Sequence, residues 1–187
     1  MSVLPDSWIR EMSRKHKMIA PFAEGKTREG KISFGVSSYG YDFRLANEYK
    51  IPDFSSARCM KAADPKNMNT AAFGDFRGRA CMIPPNSFIL GRSLEYFRIP
   101  RDVIALCQGK STYARSGVFI NVTPLEPEWE GYITIAIVNY APVPAKIYSG
   151  EGIAQLVFIR AESECGVSYA DKKGKYQSQK EIITARV

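Results

Sequence analysis

The clearest pattern in the chain lies between Gly131 and Asn139, where Ile133, Ile135 and Ile137 alternate with Tyr132, Thr134, Ala136 and Val138. A period of two sends alternate side chains to opposite faces of a strand, so the isoleucines predict a core-facing row. The opposite row is mixed, and Ala136 within it is a poor strand former with almost no side chain. Two readings of that position stand: a small residue beneath a neighbouring strand, or a site face from which a group is missing. Short apolar runs recur at residues 88–90, 96–99, 103–107, 118–122, 145–148 and 153–160, separated by turn residues such as Pro84-Pro85-Asn86. Many short strands at close spacing predict an all-β sandwich or barrel.

The remaining stretches fill in around this set. Residues 37–45 alternate aromatic and polar groups about Gly40 and predict a strand or hairpin; Asp42 and Arg44 there read either as substrate groups or, the preferred reading, as an internal structural pair between subunits. Asp6 or Ser7 is placed to cap a short amphipathic helix carrying Trp8, Ile9 and Met12. It ends at the basic run Arg14-Lys15-His16-Lys17, where cations suit a helix C-terminus. Residues 51–79, polar and containing Pro52 and Pro65, read as an irregular excursion with one short strand. The Lys- and Gln-rich tail, 166–187, reads on its own as flexible.

Composition narrows the class. A chain of 187 residues, 45% hydrophobic and 24% charged, fits one soluble globular domain. No run approaches the ~20 apolar residues of a membrane span, and the N-terminus lacks a signal-peptide pattern, so the cytoplasm is the default location. The net charge is +7, but the basic residues are scattered without interleaved aromatics, which argues against nucleic acid and suits a small polyanion equally well. The four cysteines, Cys59, Cys81, Cys107 and Cys165, are widely spaced and read as free thiols. The one histidine, His16, reads as a solvated helix residue. Zinc-dependent base deaminases need a His-x-Glu and a Pro-Cys-x-x-Cys, and the chain has neither, so no zinc is expected.

A small-residue turn, Gly109-Lys110-Ser111-Thr112, leads to Arg115. Uncovered backbone N–H groups beside a lysine suit phosphate oxygens. The turn lacks P-loop spacing, and most such triplets are plain surface turns.

Read together, GKSTYARSG from Gly109, NVTPLEPEWEGYITI from Asn121 and NYAPVPAKIYSGEGIAQLVF from Asn139 resemble the dCTP deaminases of the trimeric dUTPase-like family. Residues 38–45 resemble that family's early motif, and Tyr169-x5-Lys175-Tyr176-x2-Gln179 its C-terminal nucleotide-closing segment. The resemblance covers essentially the whole chain as a single domain. It implies a mainly β fold, a dUTPase-like β-clip or distorted barrel with a short N-terminal helix, assembled as a homotrimer with sites between subunits.

It also implies an activity: hydrolytic deamination of dCTP to dUTP and ammonia, supplying dUTP for thymidylate synthesis, with dTTP as a feedback inhibitor. By resemblance, Ser111 orients the attacking water and Arg115, from an adjacent subunit, sits near the exocyclic amine. Backbone groups of Thr134 and Ile135 read the pyrimidine edge. Lys110, Ser111 and Thr112, on the turn that continues through Tyr113 and Ala114, meet the phosphates, as does Gln155. Tyr169, Lys175 and Gln179 fold over the triphosphate as a lid, with magnesium held by the nucleotide and water. Trp129 reads equally as a residue at the site entrance or in the core.

One departure matters. The family's acid–base glutamate falls at Ala136, so this chain is expected to bind dCTP but turn it over poorly. With the other motifs intact, the departure reads as an engineered Glu→Ala change rather than a decayed paralogue. Rival readings are a non-catalytic nucleotide-binding regulator and a dUTPase or bifunctional enzyme of the same fold. The dUTPase is disfavoured because no aspartate stands in Asn121-Val122-Thr123-Pro124 and no Gly-rich phosphate-covering motif closes the chain.

Overall fold

The computed structural model describes residues 1–25, 30–53, 64–66, 68 and 72–186. The helix α1, Asp6–His16, is present, but its cap differs from expectation: Pro5 occupies the N-cap and no side chain closes it. The Asp6 N–H instead donates to Ser38 O at 2.9 Å, so a neighbouring loop supplies the acceptor that a capping side chain would offer. Lys17, in the left-handed region at φ 52°, ends the helix and returns its N–H to Met12 O. Ile9 is fully buried from this helix, while His16 is exposed.

Among the described residues twelve strands follow: β1 Ser2–Val3, β2 Ile19–Ala20, β3 Gly35–Ser37, β4 Gly40–Pro52, β5 Phe73–Arg77 and β6 Ala80–Ile83. Then come β7 Ser87–Arg98, β8 Val103–Gly109, the one-turn helix α2 Ser111–Ala114, β9 Val118–Asn121, β10 Glu130–Asn139, β11 Ala145–Tyr148 and β12 Gly152–Arg160. The main path runs β1-β12-β4-β7-β10-β9, with β6 and β11 forming a separate pair. Ladders among them are antiparallel.

Strand β4 makes the sheet bend. Tyr41–Arg44 pair with β12, whereas Leu45, Tyr49 and Lys50 pair with β7, with a register shift in between. One strand therefore serves two ladders and curls the sheet into a partial barrel. The expected hairpin is β3–β4, turning at Ser38-Tyr39. The two runs expected at 88–90 and 96–99 are one strand, β7. The excursion at 51–79 does carry a short strand, β5; its residues 54–63, 67 and 69–71 lie outside the described ones.

The barrel interior is filled by the predicted isoleucine row together with Tyr41, Phe43 and Phe97, all at most 2% exposed. Phe43 meets the Phe97 ring edge-on at a centroid distance of 5.8 Å. Each such side chain contributes roughly 1.5–3 kcal/mol by leaving water. Because Ile133, Ile135 and Ile137 lock β10 against this core, Thr134 and Ala136 are held on the other face.

Candidate active site

On that outer face lies a cavity of about 700 Å³. The sheet contributes Leu90, Asn121, Thr134 and Ala136; the loop after β9 contributes residues 122–126; the tail contributes Tyr169, Lys175 and Gln179. Ala136 sits opposite Leu90 on one side and Asn121 on the other, so its immediate ladder neighbours are a hydrocarbon and an amide. Among the described residues one carboxylate, Glu126, reaches the lining, and it is engaged with Lys172 at 2.8 Å.

The tail is not free. Its backbone runs parallel to β10 at one bridge, Gly131 with Gln179, where Tyr132 N donates to Gln179 O at 2.9 Å. Thr134 Oγ1 donates to Gln179 Oε1 at 3.0 Å and accepts from Ile183 N at 3.2 Å. Trp129 is buried in the core and also lines the cavity; its Nε1 donates to Tyr176 O at 2.9 Å. Lys175 Nζ donates to the carbonyl of Arg186, folding the last residues back over the opening. At the tail's root Arg101 holds Glu128 at 2.6 Å and Asp171 at 2.9 Å. These exposed pairs are worth little each, and the tail rests mainly on its backbone bonds and buried Gln179 and Ile182.

A second polar cluster lies outside the cavity lining. Lys110, just before α2, donates from Nζ to Asp42 Oδ2 at 3.0 Å and Ser33 Oγ at 3.1 Å. Gln155 Nε2 donates to Asp42 Oδ1 at 3.1 Å and Ser37 Oγ at 2.8 Å. The Lys110 carbonyl accepts from Tyr113 N and Ala114 N and starts the turn. Ser111, Thr112, Ala114 and Arg115 are exposed. Tyr113 is buried, its OH accepting from Tyr148 N at 3.1 Å, and burial pushes its phenol up to about 12.

Beneath the site is a buried charge. Glu95 is fully buried; Arg44 Nε donates to its Oε1 at 2.6 Å and the Arg44 backbone N–H to its Oε2 at 2.9 Å. Burial pushes the Glu95 carboxyl above its ordinary value, with Arg44 pulling the other way. The β7–β10 register shifts here, and Ser93 Oγ takes the Ile133 N–H at 2.8 Å while donating to Glu95 O. The network thus fixes the backbone one residue from Thr134. Within the one subunit, Asp42 pairs with Lys110 and Arg44 with Glu95.

A family model described as dCTP deaminase-like matches residues 3–161. The chain belongs to that family. A dCTP deaminase of Granulibacter bethesdensis is 55% identical over 187 residues, covering 100% of both chains. One of Wolinella succinogenes is 54% identical over 100% of this chain and 99% of its own. One of Acidobacterium capsulatum is 52% identical over 100% of both. In fold, the chain is similar to the crystal structure of 2'-deoxycytidine 5'-triphosphate deaminase from Agrobacterium tumefaciens. That match has a TM-score of 0.60 at 16% identity, over 83% of this chain and 47% of that one.

Set against this family, the sequence-predicted residues divide into two groups. Thr134, Ala136, Tyr169, Lys175 and Gln179 converge on the cavity. Lys110, Ser111, Thr112, Arg115 and Gln155 are absent from its lining, and the buried Ile135 side chain faces the core. Sequence reasoning passed over Leu90, Glu126 and the wall formed by Ile183, Thr184 and Ala185. Leu90 enters as the ladder partner of Ala136, a register between distant segments that no local pattern shows; the last three carry no chemical signature.

Proposed function

We propose that this chain binds dCTP and deaminates it poorly, because Ala136 stands where the reaction needs a carboxylate. Deamination adds water to C4 of the cytosine ring, breaks the C4–N bond and releases ammonia. A proton must leave the water while protons reach the ring nitrogen and the departing amine. A carboxylate at the strand position performs these transfers; a methyl group performs none. The observation that carries the reading is the placement of Ala136 on the cavity face between Leu90 and Asn121.

The other roles follow the family pattern. Ser111 orients the water, Arg115 approaches the exocyclic amine, and the backbone of Thr134 and Ile135 reads the pyrimidine. Lys110, Ser111, Thr112 and Gln155 serve the phosphates, and Tyr169, Lys175 and Gln179 close over them. Magnesium enters with the triphosphate and keeps most of its waters. A homotrimer is supported by the exposure of Ser111 and Arg115 outside this cavity: the turn of one subunit completes the cavity of the next.

The test compares the chain with Ala136→Glu, following dCTP to dUTP and ammonia by chromatography. The glutamate version is expected to exceed the parent by at least ~10²–10⁴-fold, since one residue serves several proton transfers. Substantial deamination by the parent would show that the acid–base lies elsewhere. Binding by both with turnover by neither would make the protein a nucleotide-binding regulator.

A further inference from the structure

The cluster around Asp42 has a chemistry that site roles alone do not explain. Asp42 is 3% exposed and lies among residues assigned to a polyanion, where a carboxylate is unfavourable unless it is neutralised. It is neutralised: Lys110 Nζ sits on one oxygen at 3.0 Å and Gln155 Nε2 on the other at 3.1 Å. A carboxylate only accepts, so Gln155 must turn its NH2 toward Asp42. Its second N–H goes to Ser37 Oγ at 2.8 Å, leaving no amide N–H for a phosphate. Lys110 has placed two of its three N–H bonds, on Asp42 and Ser33. The Lys110 carbonyl meanwhile begins α2, and its N–H is fixed to Ile153 O at 3.2 Å, two residues from Gln155.

The geometry points to Asp42 as a positioning residue for phosphate recognition: it holds Lys110 and Gln155 on one carboxylate and so fixes the phosphate-facing turn. The inference rests on the reading that the chain binds dCTP. Gln155 then acts through Asp42, and Lys110 offers a single pre-oriented N–H rather than a mobile cation. Pre-orientation reduces the ordering cost of binding a charged, flexible triphosphate.

Asp42→Asn tests this, because it removes the charge and puts an NH2 where Lys110 or Gln155 now finds its own carboxylate oxygen. Affinities for dCMP and dCTP are measured by calorimetry on the full chain, and the ratio of the two dissociation constants isolates what the outer phosphates contribute. The expected result is unchanged dCMP affinity with roughly tenfold weaker dCTP binding, the size of one charged hydrogen bond. Ser37→Ala, which keeps the charge and removes only one Gln155 acceptor, should lower the ratio by a smaller factor; it carries the test if Asp42→Asn does not fold. Equal weakening of both nucleotides, or an unchanged ratio, overturns the proposal alone. A parent that binds no dCTP overturns the functional reading and this inference together.

Discussion

At the scale of single residues, Glu95 makes the sharpest prediction. Its carboxyl is raised above the ordinary 4.5 because burial outweighs the attraction of Arg44. The folded state then holds the proton more tightly than the unfolded chain. The associated stability is fully present below 4.5 and is lost as pH rises through the higher folded value. Glu95→Gln, which has no proton to lose, should lack that decline, so its melting point relative to the parent should improve as pH rises. Thermal melts of both proteins from pH 4 upward check it, and parallel curves would show that Glu95 does not titrate there. Burial also pushes the Cys81 and Cys107 thiols up to about 11 and about 12. Both should resist iodoacetamide at pH 8 in the folded protein, read by peptide mass spectrometry, since the thiolate is the reactive form. Ala136 was legible as an anomaly from alternation alone, because a period of two names the face of every residue. Glu95 was not. Gly91-Arg92-Ser93-Leu94-Glu95 reads as a polar break between two strands, and it takes Arg44, 51 positions away, with the Tyr41 hydroxyl to let the carboxylate stay inside one continuous strand.

Among the elements, the tail departs furthest from its sequence. Lysines and glutamines without periodicity suggest a free segment, yet this one borrows order from β10. Its acceptors and donors are the exposed edge groups of Glu130, Tyr132 and Thr134, which no local rule could have paired with residues nearly fifty positions on. Thr134→Val removes one hydroxyl that serves Gln179 and Ile183 together. At about 1 kcal/mol per neutral hydrogen bond, amide exchange at Ile183 should quicken roughly tenfold with the global melting point little changed. Gly131→Ala should do more. Gly131 holds φ 148°, and an added Cβ would stand 2.8 Å from Gln179 N, so the bridge itself must open. If exchange across residues 178–183 is unmoved by both variants, the tail does not depend on β10. The longer strands, by contrast, were visible, because a hydrophobic face is a local signal; β1, β2 and β6 were not. Their joining was hidden, since the switch of β4 from β12 to β7 is a matter of register between distant segments.

For the whole molecule, the distribution of site residues carries the argument. Thr134, Ala136 and the tail residues line the cavity, while Ser111 and Arg115 stand exposed outside its lining. Beside α2 lies an apolar surface: Phe119 is 52% exposed and Tyr140 66%, their rings 6.3 Å apart, with Tyr140 N bonded to Gly117 O. Met82 and Val143 are also more than half exposed. Aromatic side chains of this size are the usual anchors of subunit contacts, and leaving them in water wastes several kcal/mol of burial. If a second copy covers this surface, the turn with Ser111 and Arg115 is carried into the interface with it, and association and nucleotide binding become one event. Phe119→Arg places a charge at the centre of that contact. The parent should sediment at about three times the 20.9 kDa chain, and the variant at one. The variant should also bind dCTP at least tenfold more weakly, although Phe119 itself is not in the cavity lining. A single-chain variant that binds dCTP as well as the parent would mean that each subunit holds a whole site, and the exposed turn would then need another purpose.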